Sequence, residues 1–243
     1  MQDVAVCIPA KDEADRIAAT VKAAQDLPGT DLVVVVDDGS SDGTGRVARG
    51  AGARVVRHSR NRGKGAAMES AAEAVRLLDE GRDQPRHLLF LDADLAETAS
   101  GAAPLVEPVR SGDADMTIAV FSTTVKLGGH GFVVRLSREG IRRATGWEAT
   151  APLNGQRCLT RAAFDAALPL AAGFGVETAL TIDLIRQNFR VAEVEVPLAH
   201  RATGTDWRAQ MHRARQFRDV ARALAVREPA VARNLDRVRG SRP

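Results

Sequence analysis

The sequence contains no Tyr and few other aromatic residues, two Trp and seven Phe in 243 residues. Its two cysteines, Cys7 and Cys158, fit neither a disulfide framework nor a metal-binding spacing. No apolar run approaches the roughly 20 residues that span a bilayer. A strand-like segment begins almost at once, so we expect no signal peptide and a cytoplasmic protein. The scarcity of aromatics and the lack of a recognisable module argue against nucleic-acid binding.

Acidic residues are scarce at the C-terminal end. Residues 201–243 hold 11 Arg against 4 Asp or Glu, whereas the whole chain carries a net charge of only +3. A basic segment of this kind is often a solvated helix face. The alternative is attraction to the inner face of an anionic membrane or to a phosphorylated partner. A homodimer is a further hypothesis.

The first half of the chain alternates predicted strands and helices. Apolar runs predict strands at residues 4–8, 32–36, 53–56, 88–91 and 116–121. Helical spacing predicts helices at residues 11–27, from Asp42 or Thr44 onward, and at residues 65–78. This alternation of strands and helices is typical of an α/β fold with a mostly parallel sheet and helices on both faces.

The second half is less regular. Residues 154–159 read as a turn into a strand, 173–187 as a helix and 191–198 as a strand, and an amphipathic helix begins near Asp206. We therefore predict a single domain over residues 1–243. Within it, residues 1–121 would bind a nucleotide sugar, 122–205 would bind the acceptor and 206–243 would form a basic helical tail.

Polar clusters follow three of the predicted strands, at residues 9–13, 37–42 and 92–94. In open α/β sheets ligands bind beyond the carboxyl ends of strands, so these clusters should converge on one cleft. Asp92 and Asp94 could offer oxygen ligands to Mg²⁺ or Mn²⁺, which in turn bind a diphosphate. Taken alone, the Asp-x-Asp triplet is more often a helix cap and a turn.

Two further segments suit a nucleotide. Residues 36–44 place carboxylates and small residues after a buried strand, where Asp can accept bonds from a base imide or ribose hydroxyls, although they would also make a turn and an N-cap. Residues 61–67 combine glycines with Lys64, a positive charge for phosphate. The second segment lacks the spacing of a Walker loop.

In this order and spacing, these segments resemble the GT-A fold glycosyltransferases of family 2. Residues 6–13 match the family's Val-x-Ile-Pro-Ala-x-x-Glu opening, and residues 36–44 match its Val-Asp-Asp-Gly-Ser-x-Asp-Gly-Thr motif. An Asn-x-Gly-Lys-Gly-x-Ala loop at residues 61–67 and the Asp-x-Asp motif complete the donor half. The resemblance implies a Rossmann-like nucleotide-diphospho-sugar transferase fold.

The resemblance also implies roles for individual residues. The uracil and ribose would be held by Pro9, Ala10, Glu13 and Asp38. Lys64 would approach the diphosphate. Asp92, Ala93 and Asp94 would serve the ribose, the diphosphate and the metal, with Asp94 as the firmer metal ligand and a catalytic residue.

The second half resembles two narrower groups. Residues 173–177 resemble the Gly-Tyr-Gly-Val-Glu segment of glucosyl-3-phosphoglycerate synthases, in which a histidine at the position of His200 completes the metal site. Dolichol-phosphate mannose synthases have a turn similar to residues 155–157. This likeness implies that the acceptor, a small phosphorylated compound or a lipid phosphate, contacts Asn154, Gly155 and Gln156.

The resemblance predicts a metal-dependent transfer of a sugar, glucose or a related hexose, from a UDP-sugar to an acceptor. Lys64 would stabilise the leaving diphosphate. Glu177 or Asp183 would act as the base for a hydroxyl acceptor. The alternatives are a polyprenyl-phosphate glycosyltransferase that uses a UDP- or GDP-sugar, a nucleotidyltransferase and a non-enzymatic nucleotide-sugar sensor. Non-functional interpretations also stay open. Glu177 could simply be an acidic residue at the start of a helix, where the helix dipole favours it, and His200 could be a surface histidine.

Overall fold

A computed structural model describes residues 2–121, 131–198 and 207–227, without the side chains of residues 207–214. One seven-stranded sheet has the order β3-β2-β1-β4-β6-β5-β7. Its strands are β1 (Val4–Ala10), β2 (Thr30–Asp37), β3 (Arg54–Arg57), β4 (His87–Phe90), β5 (Met116–Phe121), β6 (Arg157–Leu159) and β7 (Val191–Val196). Only β6 runs antiparallel to its neighbours, so the predicted α/β fold with a mostly parallel sheet is confirmed.

Eight α-helices flank the sheet in the described part of the chain. They are α1 (Ile17–Gln25), α2 (Thr44–Gly50), α3 (Lys64–Leu78), α4 (Glu107–Arg110), α5 (Gly131–Thr145), α6 (Arg161–Ala166), α7 (Val176–Arg186) and α8 (Trp207–Arg227). Two 3-10 segments, Ala96–Leu105 and Gly173–Gly175, precede α4 and α7. None of the helices within the described ranges is both long and apolar enough to cross a membrane.

Strand β1 is buried on both faces, as its unbroken apolar run predicts. Cys7 pairs in register with Val34 of β2 on one side and with Phe90 of β4 on the other. Val6 and Ile8 pack into the core on one face of the sheet, and Cys7 packs into the core on the other. The strands whose ends carry polar residues therefore lie side by side at the centre of the fold.

The first helix begins later than predicted, at Ile17 instead of residue 11. The backbone of Asp12 has a left-handed φ of 54°, and the Asp12 carboxylate accepts a bond of 2.8 Å from the Ser41 N–H. The Glu13 N–H donates to Thr44 Oγ1 at 2.9 Å. These bonds connect residues 11–13 to the segment after β2, and residues 11–13 therefore do not form the first turn of α1.

Three elements of the middle region were not predicted: the 3-10 segment Ala96–Leu105 and the short helices α4 and α6. The division of the domain into residues 1–121, 122–205 and 206–243 stays a prediction. β6, from the second part, lies between β4 and β5 of the first part, so both parts build the same sheet.

Helices α5, α7 and α8 run in the same direction. Phe132 of α5 stacks on Phe217 of α8, with ring centroids 5.4 Å apart, and eight residues later Gly140 lies against Leu224. The Phe174 N–H, just before α7, donates to Asp219 of α8. Further along, Asp183 of α7 pairs with Arg227 of α8, so α7 and α8 also run in the same direction. The N-terminal end of α7 carries Glu177, so this end of the layer lies beside the carboxyl ends of the central strands.

Candidate active site

A cleft of about 590 Å³ opens where β1, β2 and β4 end. It is lined by Pro9, Ala10, Lys11, Glu13, Asp38, Asn61, Gly63, Lys64, Ala67, Asp92, Ala93, Asp94, Gly173, Phe174 and Arg215. All eight residues predicted to contact the nucleotide or its diphosphate are among them. The convergence predicted from the strand ends is therefore present in the structure, although the roles of the individual residues stay predictions.

The carboxylate of Asp38 forms one end of the cleft and is buried. Its Oδ1 atom accepts bonds from His58 Nδ1 at 2.7 Å and from the Arg62 N–H at 2.8 Å. Its Oδ2 atom accepts the Gly63 N–H at 2.8 Å. One carboxylate therefore fixes both the end of β2 and the loop that leads into α3.

Lys64, the first residue of α3, joins two carboxylates, one of which lines the cleft. Its Nζ lies 2.8 Å from Asp92 Oδ1 and 2.9 Å from Glu177 Oε1. Burial lowers the pKa of Lys64, but the neighbouring charges of Asp92 and Glu177 outweigh burial and raise it above its ordinary value. Lys64 is therefore a fixed positive charge at neutral pH, as a diphosphate site needs.

Asp92 is also held by a residue from the second half of the chain. Gln156 is fully buried, and its Nε2 donates to Asp92 Oδ2 at 2.7 Å. A Cβ atom at Gly155 would overlap Lys64 Nζ and lie 3.0 Å from Asp92 Oδ1. The side chain of Asn154 donates to Ala119 O at 2.7 Å and accepts the Gln156 N–H at 2.9 Å. Gly155 and Gln156 thus pack against the charged groups of Lys64 and Asp92. The contact of Asn154, Gly155 and Gln156 with an acceptor stays a prediction.

Glu177, in the first turn of α7, lies next to the cleft through its contact with Lys64 and is 7% exposed. Arg157, which is fully buried in β6, supports that turn: its Nη1 donates to Glu177 O at 3.0 Å and to Thr181 Oγ1 at 2.9 Å. Asp183, the second candidate base, pairs with α8 instead of Lys64 and accepts a bond of 2.7 Å from Arg227 Nε. Glu177 is therefore the better placed of the two.

Asp92 and Asp94 both line the cleft, and their carboxylates are the hard oxygen ligands that Mg²⁺ and Mn²⁺ prefer. The residues present thus fit a divalent ion. Within the described ranges no three His, Cys, Asp or Glu side chains form a group that could hold a metal ion. His200, the predicted third ligand, lies outside the described residues.

The other carboxylates of the motif at residues 36–44 shape the loop. Asp37 accepts the Ser40 N–H at 2.9 Å. Asp42 accepts the N–H groups of Thr44 at 2.9 Å and Ala14 at 3.0 Å. Neither residue lines the cleft, so within this motif Asp38 alone faces it.

Sequence reasoning did not assign Gly173, Phe174 or Arg215 to the nucleotide cleft. Gly173 and Phe174 both contact Asp219 of α8. A Cβ atom at Gly173 would overlap the Asp219 carboxylate, and the Phe174 N–H donates to this carboxylate at 3.3 Å. Arg215 lies one turn before Asp219 on α8. A motif search along the first half of a sequence cannot find these residues, because they enter the cleft through helix packing.

The family model described as "Glycosyl transferase family 2" matches residues 5–165. The chain belongs to glycosyl transferase family 2. The matched residues run from β1 into α6, so they include Asp38, Lys64, Asp92 and Asp94 together with Gln156 of the second half.

Relatives in family 2 include glycosyltransferase AglJ of Haloferax volcanii, 32% identical over 211 residues that cover 83% of this chain and 65% of AglJ. Glucosyl-3-phosphoglycerate synthase of Mycolicibacterium paratuberculosis is 29% identical over 203 residues, covering 74% of this chain and 59% of the relative. The chain thus matches less than two thirds of the length of either relative.

The fold of this family 2 chain is similar to that of glucosyl-3-phosphoglycerate synthase from Mycobacterium tuberculosis. In the crystal structure with Mn²⁺, UDP and phosphoglyceric acid, the TM-score is 0.73 at 25% identity, over 93% of this chain and 78% of the other. In the structure with Mn²⁺, UDP-glucose and glycerol 3-phosphate, the TM-score is 0.70 at 25% identity, over 93% and 80% of the two chains. These matches confirm the GT-A fold.

Proposed function

We propose that this chain transfers a hexosyl group, glucose or a close relative, from a UDP-sugar to an acceptor in a metal-dependent reaction. The observation that carries the proposal is the cleft itself. Asp38 at one end is suited to a base, and Lys64 with Asp92 and Asp94 at the other end is suited to a metal-bound diphosphate. The similar synthase structures contain UDP or UDP-glucose together with Mn²⁺.

The metal would be held by Asp94, with Asp92 beside it and His200 as the predicted additional ligand. When bound, a divalent ion supplies charge stabilisation to the diphosphate as the anomeric C–O bond breaks. The carboxylates of Asp92 and Asp94 would offer oxygen atoms to either Mn²⁺ or Mg²⁺.

Lys64 would exchange partners when the donor binds. Its Nζ now bonds Asp92 and Glu177, and an arriving diphosphate offers it oxygen atoms of higher charge. Glu177 would then be released from the ammonium and could accept a proton from an acceptor hydroxyl. A phosphate acceptor is already ionised near neutral pH and would need no base.

For the acceptor, we favour a small phosphorylated compound. The similar synthase was crystallised with phosphoglyceric acid or glycerol 3-phosphate. Arg215, which is exposed and lines the cleft, supplies a positive charge that a second phosphate could reach. Arg215 belongs to the basic C-terminal segment, for which attraction to a phosphorylated partner is one of the expectations.

A polyprenyl phosphate is the second candidate acceptor, and one observation favours it. Phe132 is 62% exposed and Phe217 is 38% exposed, and they stack on each other with Arg218 adjacent on α8. Exposed aromatic and basic side chains of this kind suit a peripheral position at an anionic membrane surface. Co-sedimentation with anionic and neutral vesicles tests this, since no salt-sensitive binding to the anionic vesicles removes the membrane role.

The deciding experiment is a donor and acceptor screen. UDP or GDP release is measured with UDP-glucose and other nucleotide sugars, using phosphoglycerate, glycerate and polyprenyl phosphate as acceptors. We expect UDP release that needs both a phosphorylated acceptor and a divalent ion. Pyrophosphate release would indicate a nucleotidyltransferase instead, and tight UDP binding without turnover would indicate a sensor.

A further inference from the structure

His58 follows β3 and lies behind Asp38, away from the motifs that form the cleft. Its ring is buried, with 6% exposure. Nδ1 lies 2.7 Å from Asp38 Oδ1, and Nε2 lies 2.9 Å from Ser70 Oγ on α3. Both nitrogens of the imidazole are therefore used, which fixes the orientation of the ring.

The direction of these bonds follows from the chemistry of the groups. An ionised carboxylate can only accept, so Nδ1 carries the hydrogen that it donates to Asp38. Nε2 lies within hydrogen-bond distance of the Ser70 hydroxyl, which can either donate or accept. Ser70 and Asp38 thus hold the two nitrogens of the ring, and the bond from Nδ1 ends on the carboxylate that faces the cleft.

The bonds to Asp38 leave room for one further donor. A carboxylate has about four acceptor positions, two on each oxygen. Within the described part of the chain, His58 and the Arg62 N–H take both positions on Oδ1, and the Gly63 N–H takes one on Oδ2. The remaining position on Oδ2 matches a base that presents a single N–H, as the imide of uracil does.

We propose that His58 is a positioning residue that makes this site selective for uridine nucleotides. By occupying Oδ1 it holds the carboxylate in one rotamer and leaves one acceptor for the imide N–H. Guanine presents two adjacent donors, an N–H and an amino group, and would leave one unpaired. Cytosine presents a ring acceptor at the same position and would face the carboxylate with a lone pair. The inference rests on the proposed function, in which Asp38 contacts the base.

Two variants of His58 separate its two bonds. In His58→Asn the amide nitrogen can take the place of Nδ1, so the bond to Asp38 is retained and the bond to Ser70 is lost. In His58→Gln the longer amide reaches the place of Nε2, so the bond to Ser70 is retained and the bond to Asp38 is lost. The measurements are Kd for UDP and GDP by calorimetry, KM and kcat for the UDP-sugar, and Tm.

We expect His58→Gln to weaken UDP binding about 10-fold, the loss of one charge-assisted hydrogen bond. The preference for UDP over GDP should fall with it, and KM should rise while kcat changes little, because the contact is made equally in the ground and transition states. His58→Asn should recover most of the affinity. A purely structural role would weaken UDP and GDP equally and leave their ratio unchanged.

A wild-type ratio of UDP to GDP affinity in folded His58→Gln overturns the inference. If that variant does not fold, His58→Leu decides: it fills a similar space without a bond to Asp38, and an unchanged ratio again overturns the inference. Asp38→Ala is measured in parallel. If Asp38→Ala binds UDP normally, the proposed uridine contact is wrong. If Asp38→Ala loses UDP and His58→Gln does not, only the role of His58 is wrong.

Discussion

Gly155 lies directly against Lys64, so that a Cβ atom at Gly155 would overlap the Lys64 Nζ and crowd Asp92 Oδ1 at 3.0 Å. Gly155→Ala should therefore push the ammonium away from Asp92. We expect kcat to fall about 10-fold or more, since a displacement of about 1 Å can cost a factor on the order of 100. The free energy of unfolding should change by less than about 1 kcal/mol, because the displaced atom ends a flexible side chain. Steady-state kinetics and denaturant unfolding measure the two effects.

Gly50→Ala is the matched control for this variant. Gly50 ends α2, and a Cβ atom there would meet nothing within 4 Å. Kinetics like those of the unmodified chain are expected. Normal activity of Gly155→Ala would show that the contact between Lys64 and Asp92 tolerates displacement.

Lys64→Ala should weaken UDP binding by about 10- to 100-fold, the range for losing a charge-assisted contact to a diphosphate. The variant also leaves Asp92 and Glu177 without the charge they share. Calorimetry with UDP and with uridine gives the test, because only the ligand that carries phosphate should weaken. Lys22→Ala, at an exposed position in the last turn of α1, should bind both ligands normally.

Removal of divalent ions should abolish turnover and weaken UDP more than uridine. Mn²⁺ or Mg²⁺ should restore activity after EDTA treatment, and Asp94→Asn should require far higher metal concentrations. Asp26→Asn, a surface substitution after α1, serves as the control for carboxylate loss. Full activity in EDTA would refute the metal requirement.

Arg157→Ala should lower the free energy of unfolding by about 3 kcal/mol or more. Besides its bonds to Glu177 O and Thr181, the buried guanidinium donates to Asn154 O at 2.8 Å and to Pro152 O at 3.2 Å. Each carbonyl left without a donor costs about 1 kcal/mol or more. Arg76→Ala removes an exposed pair with Glu73 instead and should leave the free energy of unfolding almost unchanged. Equal unfolding free energies for the two variants would contradict this account.

The two thiols should resist alkylation in the folded state. Burial raises the pKa of Cys7 and of Cys158 to about 12, so at pH 8 the thiolate fraction of each is on the order of 10⁻⁴. Because the folded state keeps its thiol protons to higher pH, it loses stability as pH rises from about 8.5 towards 12. Reaction with a disulfide reagent at pH 8, with and without denaturant, measures the difference. Rapid reaction of the native thiols would contradict their burial.

The central sheet and the convergence of polar residues on one cleft were predictable from sequence because their signals are local. Buried parallel strands appear as short apolar runs, and each polar cluster follows its strand directly. The start of α1 was not predictable in this way. Helical spacing extends back to residue 11, but the bond between Asp12 and Ser41 joins positions 29 residues apart and overrides it.

The contributions of β6 and α8 to the site depend on packing, which leaves little trace in a single sequence. Gln156 was predicted to contact the acceptor, but its burial beside Asp92 was not predicted, because it depends on the insertion of β6 next to β4. Arg215 reads as one arginine among several in a basic helix. Its place in the cleft follows from the contact of Asp219 with Phe174.

The insertion of β6 between β4 and β5 has a consequence for the order of assembly during synthesis. When the ribosome has released residues 1–121, the four segments at residues 6–13, 36–44, 61–67 and 92–94 have emerged. At that stage β4 still has one unpaired edge and β5 has no neighbour on either side. Unpaired edges of apolar strands are sites of aggregation. β4 and β5 therefore cannot join into one sheet until residues 157–159 have been synthesised. The same residues bring Gln156 to Asp92.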